Sequence, residues 1–116
     1  YKGEIMAKYE TNLHAKFDHF LNHLHQNILK NSVSATLEDQ SDYELDNVQI
    51  AVRVYERYSM LGNNRVSMNV TLIGKEDHLY VSIITSGGSQ AVFFKVNTIG
   101  EHDFLKTAIQ AINSYQ

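Results

Sequence analysis

The sequence contains no cysteine, no proline and no tryptophan. The lack of cysteine excludes disulfide bonds, thiolate nucleophiles and metal sites with cysteine ligands. No apolar run approaches the roughly 20 residues that a membrane-spanning helix needs. The net charge of −3 gives the chain no bulk attraction for DNA or for an anionic membrane. We therefore expect a cytoplasmic protein that does not bind a membrane, and the charge disfavours nucleic acid as a partner.

The remaining composition is typical of one globular domain. Of the 116 residues 43% are hydrophobic and 20% are charged, which is enough for a core without covalent staples. Met6-Ala7-Lys8 resembles a translation start, and residues 1–5 are compatible with codons that contain a bacterial ribosome-binding sequence. A remnant of cloning is the alternative. We expect residues 1–5 to be a non-native leader, residues 6–116 to form a single α+β domain, and the source to be bacterial.

Two segments have the apolar spacing of amphipathic helices. The first begins near Lys16, or as early as Asn12, and ends near Asn31. The second begins at Thr98 and continues to the end of the chain. The first stripe comprises Phe17, Phe20, Leu21, Leu24 and Ile28, and the second comprises Phe104, Leu105, Ala108, Ile109, Ile112 and Tyr115. One helix near each end of the domain follows from this pattern.

Period-two alternation predicts the strands. The alternating segments are residues 8–14, 33–37, 48–58, 66–72, 79–83 and 92–96. Turn-forming residues separate several of them, including the acidic stretch Glu38–Asp42 and the Gly87-Gly88 pair. The fold class that we predict is α+β, with an antiparallel meander of about five to six strands and an N-terminal and a C-terminal helix packed on one face.

Several stretches resemble a family of small bacterial proteins known only as a domain of unknown function. They are Ala51–Ser59, Asn64–Ser67, Ile84–Gln90 and Phe93–Lys95. The resemblance covers nearly all of Met6 to Gln116, and it implies no activity, cofactor or catalytic residue. The order of the elements is also similar to helix-grip domains, in which a sheet curls around a C-terminal helix, but a shared fold implies no function.

The sheet face opposite the apolar set is the predicted binding surface. Alternation places several cations and aromatic rings on it and no acid. The candidate binding residues are Arg53, Tyr55, Arg57, Arg65, Tyr80, Phe93 and Lys95. Guanidinium groups bind carboxylates and phosphates through paired hydrogen bonds, and aromatic rings supply flat contacts. A register slip of one residue would redistribute this set between the two faces.

Three functional hypotheses follow. The first is a non-enzymatic binding module that recognises an anionic small molecule or partner through this face. The second is a homo-oligomer, such as a homodimer, that uses the face as its interface. The third is an enzyme with a pocket between sheet and helices that contains Glu56 or a histidine. We lean against the enzyme and predict no catalytic residue, no metal site and no cofactor.

Other polar features have simpler interpretations. Four histidines lie in or near the first helix: His14, His19, His23 and His25. His19 and His23 share a helix face but lack the further ligands of a metal site, so a solvated surface is expected. The segment Ser86–Ser89 lacks the lysine and helix of a phosphate loop, and it indicates a hairpin tip. The acidic run from Glu38 to Asp46 indicates a solvated loop or a guarded edge strand rather than a calcium loop.

Overall fold

The structure, a computed structural model, describes residues 6–32, 34–59, 64–87 and 94–116, and gives the backbone alone for residues 6, 59, 64 and 94–103. Within these ranges five strands and two helices follow one another. They are β1 (Met6–His14), α1 (Phe17–Asn31), β2 (Thr36–Leu45), β3 (Val48–Ser59), β4 (Asn64–Lys75), β5 (His78–Gly87) and α2 (Phe94–Asn113). No helix of the described part is long and apolar enough to cross a membrane.

The described strands form one antiparallel sheet in the order β1-β5-β4-β3-β2. Strands β2 to β5 are a meander, and β1 joins it beside β5. The tight turn between β2 and β3 has positive φ at both central residues, Asp46 (49°) and Asn47 (68°), as a two-residue hairpin requires. The predicted α+β meander with two helices is confirmed, with five strands in the described ranges.

The core lies between the sheet and the two helices. Its largest fully buried side chains come from α1, α2, β3, β4 and β5: Tyr55, Phe20, Phe104, Leu24, Ile28, Met68, Leu72, Leu79, Ile83, Val66 and Val70. Gly74 of β4 provides room for the first turn of α1, because a Cβ atom there would lie 2.7 Å from the ring of Phe17. Both predicted helical stripes therefore pack into one core.

The sequence predicts a turn at the acidic stretch Glu38–Asp42, but in the structure this stretch is part of the edge strand β2. The turn is displaced to Asp46-Asn47, and backbone pairing with β3 holds the acidic residues in an extended conformation. A register shift between Leu37 and Asp39 leaves Glu38 as the extra residue of a bulge. Exposed carboxylates and a bulge on an outer strand fit the predicted edge guard, since both hinder pairing with another chain.

The predicted last strand at residues 92–96 is wrong where the structure describes it. Phe94 already belongs to α2, which begins four residues before the predicted start at Thr98, and residues 92–93 lie outside the described ranges. The physical reason is that β1 already pairs with β5, from Met6 opposite Ser86 to His14 opposite His78. The sheet edge that a sixth strand would have joined is therefore occupied.

Candidate ligand-binding groove

A groove opens where the helices leave the sheet uncovered. Helix α2 packs against β1, β4 and β5, while the side of α1 faces the β2–β3 hairpin. The main part of the groove has a volume of about 390 Å³ and is lined by Phe17, Asp18, Leu21, Asp42, Tyr43, Glu44, Gln49, Ile50 and Arg53. A second part of about 220 Å³ shares Asp18, Leu21 and Arg53 and adds Asn22, His25, Leu37 and Gln40.

The predicted binding residues of β3 do not lie on the predicted face. Paired residues of neighbouring strands point to the same side of a sheet. Arg53, Tyr55 and Arg57 lie opposite the buried residues Val70, Met68 and Val66 of β4. The three residues therefore face the helices. Arg65 and Tyr80 lie on the other side, so the prediction of one shared binding face is wrong.

The other predicted residues have separate surroundings. The guanidinium carbon of Arg57 lies 5.1 Å from the centre of the Phe104 ring, in the helix layer. On the far side of the sheet Arg65 contacts Glu56 and lies 5.7 Å from the centre of the Tyr58 ring. For Lys95 the structure describes only a helical backbone position, and Phe93 lies outside the described residues. Of the predicted set, the structure places Arg53 in the lining of the groove, and Tyr55 lies fully buried beneath it.

Arg53 is held at the groove by two neighbours. Its Nη2 atom lies 2.9 Å from a carboxylate oxygen of Asp42, and its Nη1 donates a hydrogen bond to the carbonyl oxygen of Val52 at 3.0 Å. The Arg53 side chain is 12% exposed, whereas that of Asp42 is 54% exposed. A guanidinium has five N–H donors, so these two contacts do not exhaust its capacity. The positive charge therefore lies low in the groove and a negative charge at its rim.

Tyr55 and His25 form a second polar pair beside Arg53. The Tyr55 hydroxyl oxygen lies 2.7 Å from Nδ1 of His25. Burial raises the pKa of Tyr55 to about 12, although the positive charge of Arg53 opposes this. Burial, and then the charge of Arg53, lowers the pKa of His25 below 6.5. Both side chains are therefore neutral at pH 7, and His25, which lines the second part of the groove, adds a polar group there without adding charge.

The lowered pKa of His25 predicts a loss of stability in mild acid. The unfolded chain binds a proton at His25 near pH 6.5, whereas the folded chain resists protonation until a lower pH. The contribution of His25 to the free energy of unfolding is therefore fully present above pH 6.5, and it is lost as the pH falls through the pKa of His25 in the folded chain. We expect His25→Gln to reduce the fall in urea midpoint between pH 7 and pH 5, as measured by circular dichroism.

The exposed His14, whose side chain is 72% accessible, supplies the control for this prediction. His14→Gln removes an imidazole as well, but it leaves the buried environment of His25 intact. We expect this variant to keep the His25 contribution to the pH dependence. If His25→Gln and His14→Gln reduce the fall in urea midpoint between pH 7 and pH 5 equally, the assignment of this pH dependence to His25 is wrong.

The rim of the groove is acidic. Asp18, Asp42 and Glu44 contribute three carboxylates, against the single guanidinium of Arg53. Apolar contact comes from Phe17 and Leu21, and Leu37 adds to it in the second part. Among the described residues no group of three His, Cys, Asp or Glu side chains could hold a metal ion. The groove is thus suited to a small polar molecule with an apolar portion.

The enzyme hypothesis required Glu56 or a histidine in a pocket between sheet and helices. Glu56 lies on the opposite side of the sheet, paired across the strands with Ser67 and bonded to Arg65. Glu56 is therefore remote from the groove. It lies on the same side of the sheet as Arg65, a side that the sequence predicted to have no acidic residue. His25 does lie in the groove, a position that sequence reasoning missed. The available signal was weak, because His25 only borders the apolar stripe of α1.

The fold has relatives among solved structures. A protein of unknown function from Pseudomonas aeruginosa, PA94, superposes with a TM-score of 0.57 at 11% identity, over 96% of this chain and 72% of the other. The hypothetical protein jhp0584 from Helicobacter pylori gives a TM-score of 0.54 at 8% identity, over 94% of this chain and 86% of the other. At these identities the likeness concerns the fold alone.

Comparison with curated proteins finds no significant match. Neither the predicted bacterial source nor the likeness to helix-grip domains is confirmed by the comparisons. The predicted resemblance to a family of unknown function is confirmed. Residues 6–116 match the model of the family of unknown function DUF6054, and the chain belongs to that family.

Proposed function

We propose that this protein is a small binding domain that holds an amine-bearing polar molecule in the groove between α1 and the β2–β3 hairpin. The observation that carries the proposal is the charge arrangement of the groove. Three rim carboxylates, those of Asp18, Asp42 and Glu44, surround a single guanidinium that is 12% exposed. A ligand amine would meet the rim, and a hydrogen-bond acceptor on the same ligand would meet Arg53.

Two further features support a bound ligand of this kind. The neutral His25, whose Nδ1 is bonded to the Tyr55 hydroxyl, offers a polar group to the groove, and burying it against a ligand costs less desolvation free energy than burying a charged group. Leu21 and Leu37 offer apolar contact to a short aliphatic chain. A concave site with apolar lining and a few convergent polar groups is the usual form of a small-molecule site. Binding without chemistry is the simpler function, because Glu56 lies on the other side of the sheet and the groove histidine, His25, is engaged by the Tyr55 hydroxyl.

The anionic ligand predicted from the sequence is the second candidate. Arg53 favours it, since a guanidinium binds a carboxylate through two parallel hydrogen bonds. An anion would have to share Arg53 with Asp42 and approach the two further carboxylates of the rim. This repulsion is the reason that an amine-bearing ligand is the first choice. For the setting we propose a bacterial cytoplasm.

Three probes of similar length test the ligand class. They are 6-aminohexanoate, which carries an amine and a carboxylate, 1,5-diaminopentane, which carries two amines, and pimelate, which carries two carboxylates. We expect 6-aminohexanoate to shift backbone amide signals of Asp18, Leu21 and Arg53 at the lowest concentration in nuclear magnetic resonance titrations. We expect 1,5-diaminopentane to shift them more weakly, because it has no acceptor for Arg53, and pimelate not to shift them. Asp18→Asn removes one charged hydrogen-bond acceptor and should weaken binding about tenfold.

Asp77→Asn is the matched control, because Asp77 is 75% exposed at the β4–β5 turn and does not line the groove. It removes the same charge and should leave the binding curves unchanged. Shifts caused by pimelate alone would favour the anionic ligand instead. Shifts that avoid the groove, or an equal loss of affinity in both variants, would contradict the proposed site.

A further inference from the structure

The side of the sheet opposite the helices, here called the open face, has no described element packed on it. It carries most of the exposed large hydrophobic side chains of the described residues. Tyr43 is 62% exposed, Leu45 55%, Tyr58 54% and Ile84 37%, and all four lie on the open face. The remaining one, Leu29, lies on α1. A concentration of exposed apolar side chains on one surface indicates an interaction site.

A column of branched apolar residues runs along β3 on the same face. Val48, Ile50, Val52 and Val54 are only half-buried, because nothing described covers them. The ladder places Tyr43, Ile50, Ile73 and Tyr80 side by side in one row across four strands. Such rows normally pack against a second layer when they are long and flat. The open face therefore has the apolar composition that is typical of a protein–protein interface.

We propose that the open face binds the open face of a second copy of this chain, related by a two-fold axis that runs along the central strand β4. With this axis β4 faces β4, β3 faces β5, and β2 faces β1 of the other copy. Every strand of the described sheet then has a partner strand. A two-fold interface requires such self-complementarity, because the same surface must serve on both sides.

The apolar residues are complementary under this axis. Ile50 of one copy faces Tyr80 of the other, Val54 faces Ile84, and Ile73 faces its own equivalent, as the row positions of the ladder dictate. Aligned sheet packing rotates the strands by about 30°, so pairs near the centre of the face match most closely. The apolar column of β3 is thereby covered by the two most apolar residues on the open side of β5.

The charges at the outer strands are complementary as well. Asp39 of β2 and Lys8 of β1 occupy the same row at opposite edges of the sheet. The two-fold axis brings Asp39 of one copy over Lys8 of the other, and it forms this contact twice. A charge pair at the rim contributes little affinity but disfavours other registers. The arrangement therefore selects one alignment of the two sheets.

The area of the face is sufficient for a stable dimer. Five strands spaced about 4.8 Å apart and about ten residues long, at about 3.3 Å per residue, cover roughly 800 Å². A standard interface buries about that area on each partner. Tyr43 and Ile50 border both the open face and the groove, whereas Asp18, Leu21 and Arg53 line the groove from the helix side of the sheet. Dimerisation therefore leaves these three groove residues accessible, and either proposal can fail without the other.

Sedimentation velocity of the full chain over a range of concentrations tests the proposal. We expect a reversible dimer for the unmodified protein. Ile84→Glu places a carboxylate within the interface at a position that tolerates solvent, and it should raise the dissociation constant at least about tenfold. Leu29→Glu is the matched control, since Leu29 is 36% exposed and Ile84 37%. This control should dimerise normally.

A charge exchange tests the alignment. Asp39→Lys places two lysines opposite each other at both rims and should weaken the dimer, and the added Lys8→Asp should restore it. A chain that stays monomeric at every concentration overturns the proposal and leaves the open face to an unlike partner. Equal effects of Ile84→Glu and Leu29→Glu, or a dimer indifferent to both, overturn it as well. Circular dichroism of each variant confirms that loss of the dimer is not loss of the fold.

Discussion

Phe20→Ala is expected to lower the free energy of unfolding by about 3–5 kcal/mol, because it removes a fully buried ring and leaves a cavity. Phe20 is 0% exposed, and its ring packs edge-to-face against Tyr115, with 5.2 Å between the ring centres. It therefore joins α1 to the segment that follows α2 as well as to the core. Small domains are stable by only about 5–15 kcal/mol, so this single change removes a large part of the total.

Urea unfolding followed by circular dichroism measures this effect, since the chain lacks tryptophan for fluorescence. Leu21→Ala is the matched control on the same helix. Leu21 is half-buried and lines the groove, so its truncation should cost about 1 kcal/mol. If Phe20→Ala costs no more than Leu21→Ala, then α1 does not pack as the structure describes. The groove would in that case lose its upper wall.

Gly87→Ala is expected to cost about 2–4 kcal/mol, for two reasons that add. Gly87 has a φ of 126°, a conformation that residues with a side chain rarely adopt. A Cβ atom there would also lie 2.6 Å from the carbonyl oxygen of Arg65 and 3.2 Å from Cα of Val66. Both are backbone atoms of the paired strand β4, and they cannot rotate away. The methyl group would therefore have to part the two strands.

Gly74→Ala provides the comparison, because it makes the same substitution elsewhere in the sheet. The added methyl would approach side-chain atoms of Leu79 and Phe17 to 2.7 Å, and side chains can shift. Its expected cost is about 1–2 kcal/mol, measured in the same urea experiment. A smaller effect at Gly87 than at Gly74 would contradict the conformation described for the end of β5.

The sequence predicted the fold well where one face of an element is clearly more apolar than the other. In β4 the alternation of Val66, Met68, Val70 and Leu72 correctly identifies the buried side. The stripe of α1 is equally clear. These elements are buried on one side only, so their periodicity reports directly on the core.

Strand β3 misled the prediction because both of its faces carry apolar residues. Val48, Ile50, Val52 and Val54 suggest a buried face more strongly than a set that includes Arg53 and Arg57. The pairing register with β4 decides the matter, since Tyr55 lies opposite the buried Met68. The arginines tolerate the helix side because long side chains carry their charges to the rim or stack them on a ring. Alternation separates two faces but does not say which of them the helices cover.

The groove could not be predicted for a similar reason. His25 and Tyr55 are 30 residues apart, and their contact depends on how α1 crosses the sheet. The partner of Arg53 is Asp42, in a stretch for which the composition favours a turn over a strand. Local patterns identify helices and strands, whereas a site between two layers depends on contacts that are distant in the sequence.

The position of β1 beside β5 has a consequence for folding. Strands β2 to β5 pair with their neighbours in sequence, so each hairpin can form soon after its own residues are available. Strand β1 pairs with β5 across most of the chain, from Met6 opposite Ser86 to His14 opposite His78. Pairing between strands that are distant in sequence loses loop-closure entropy before the stabilising contacts form, and this slows folding. Of the described strands, β1 is synthesised first but cannot pair until β5, which is synthesised last, has left the ribosome.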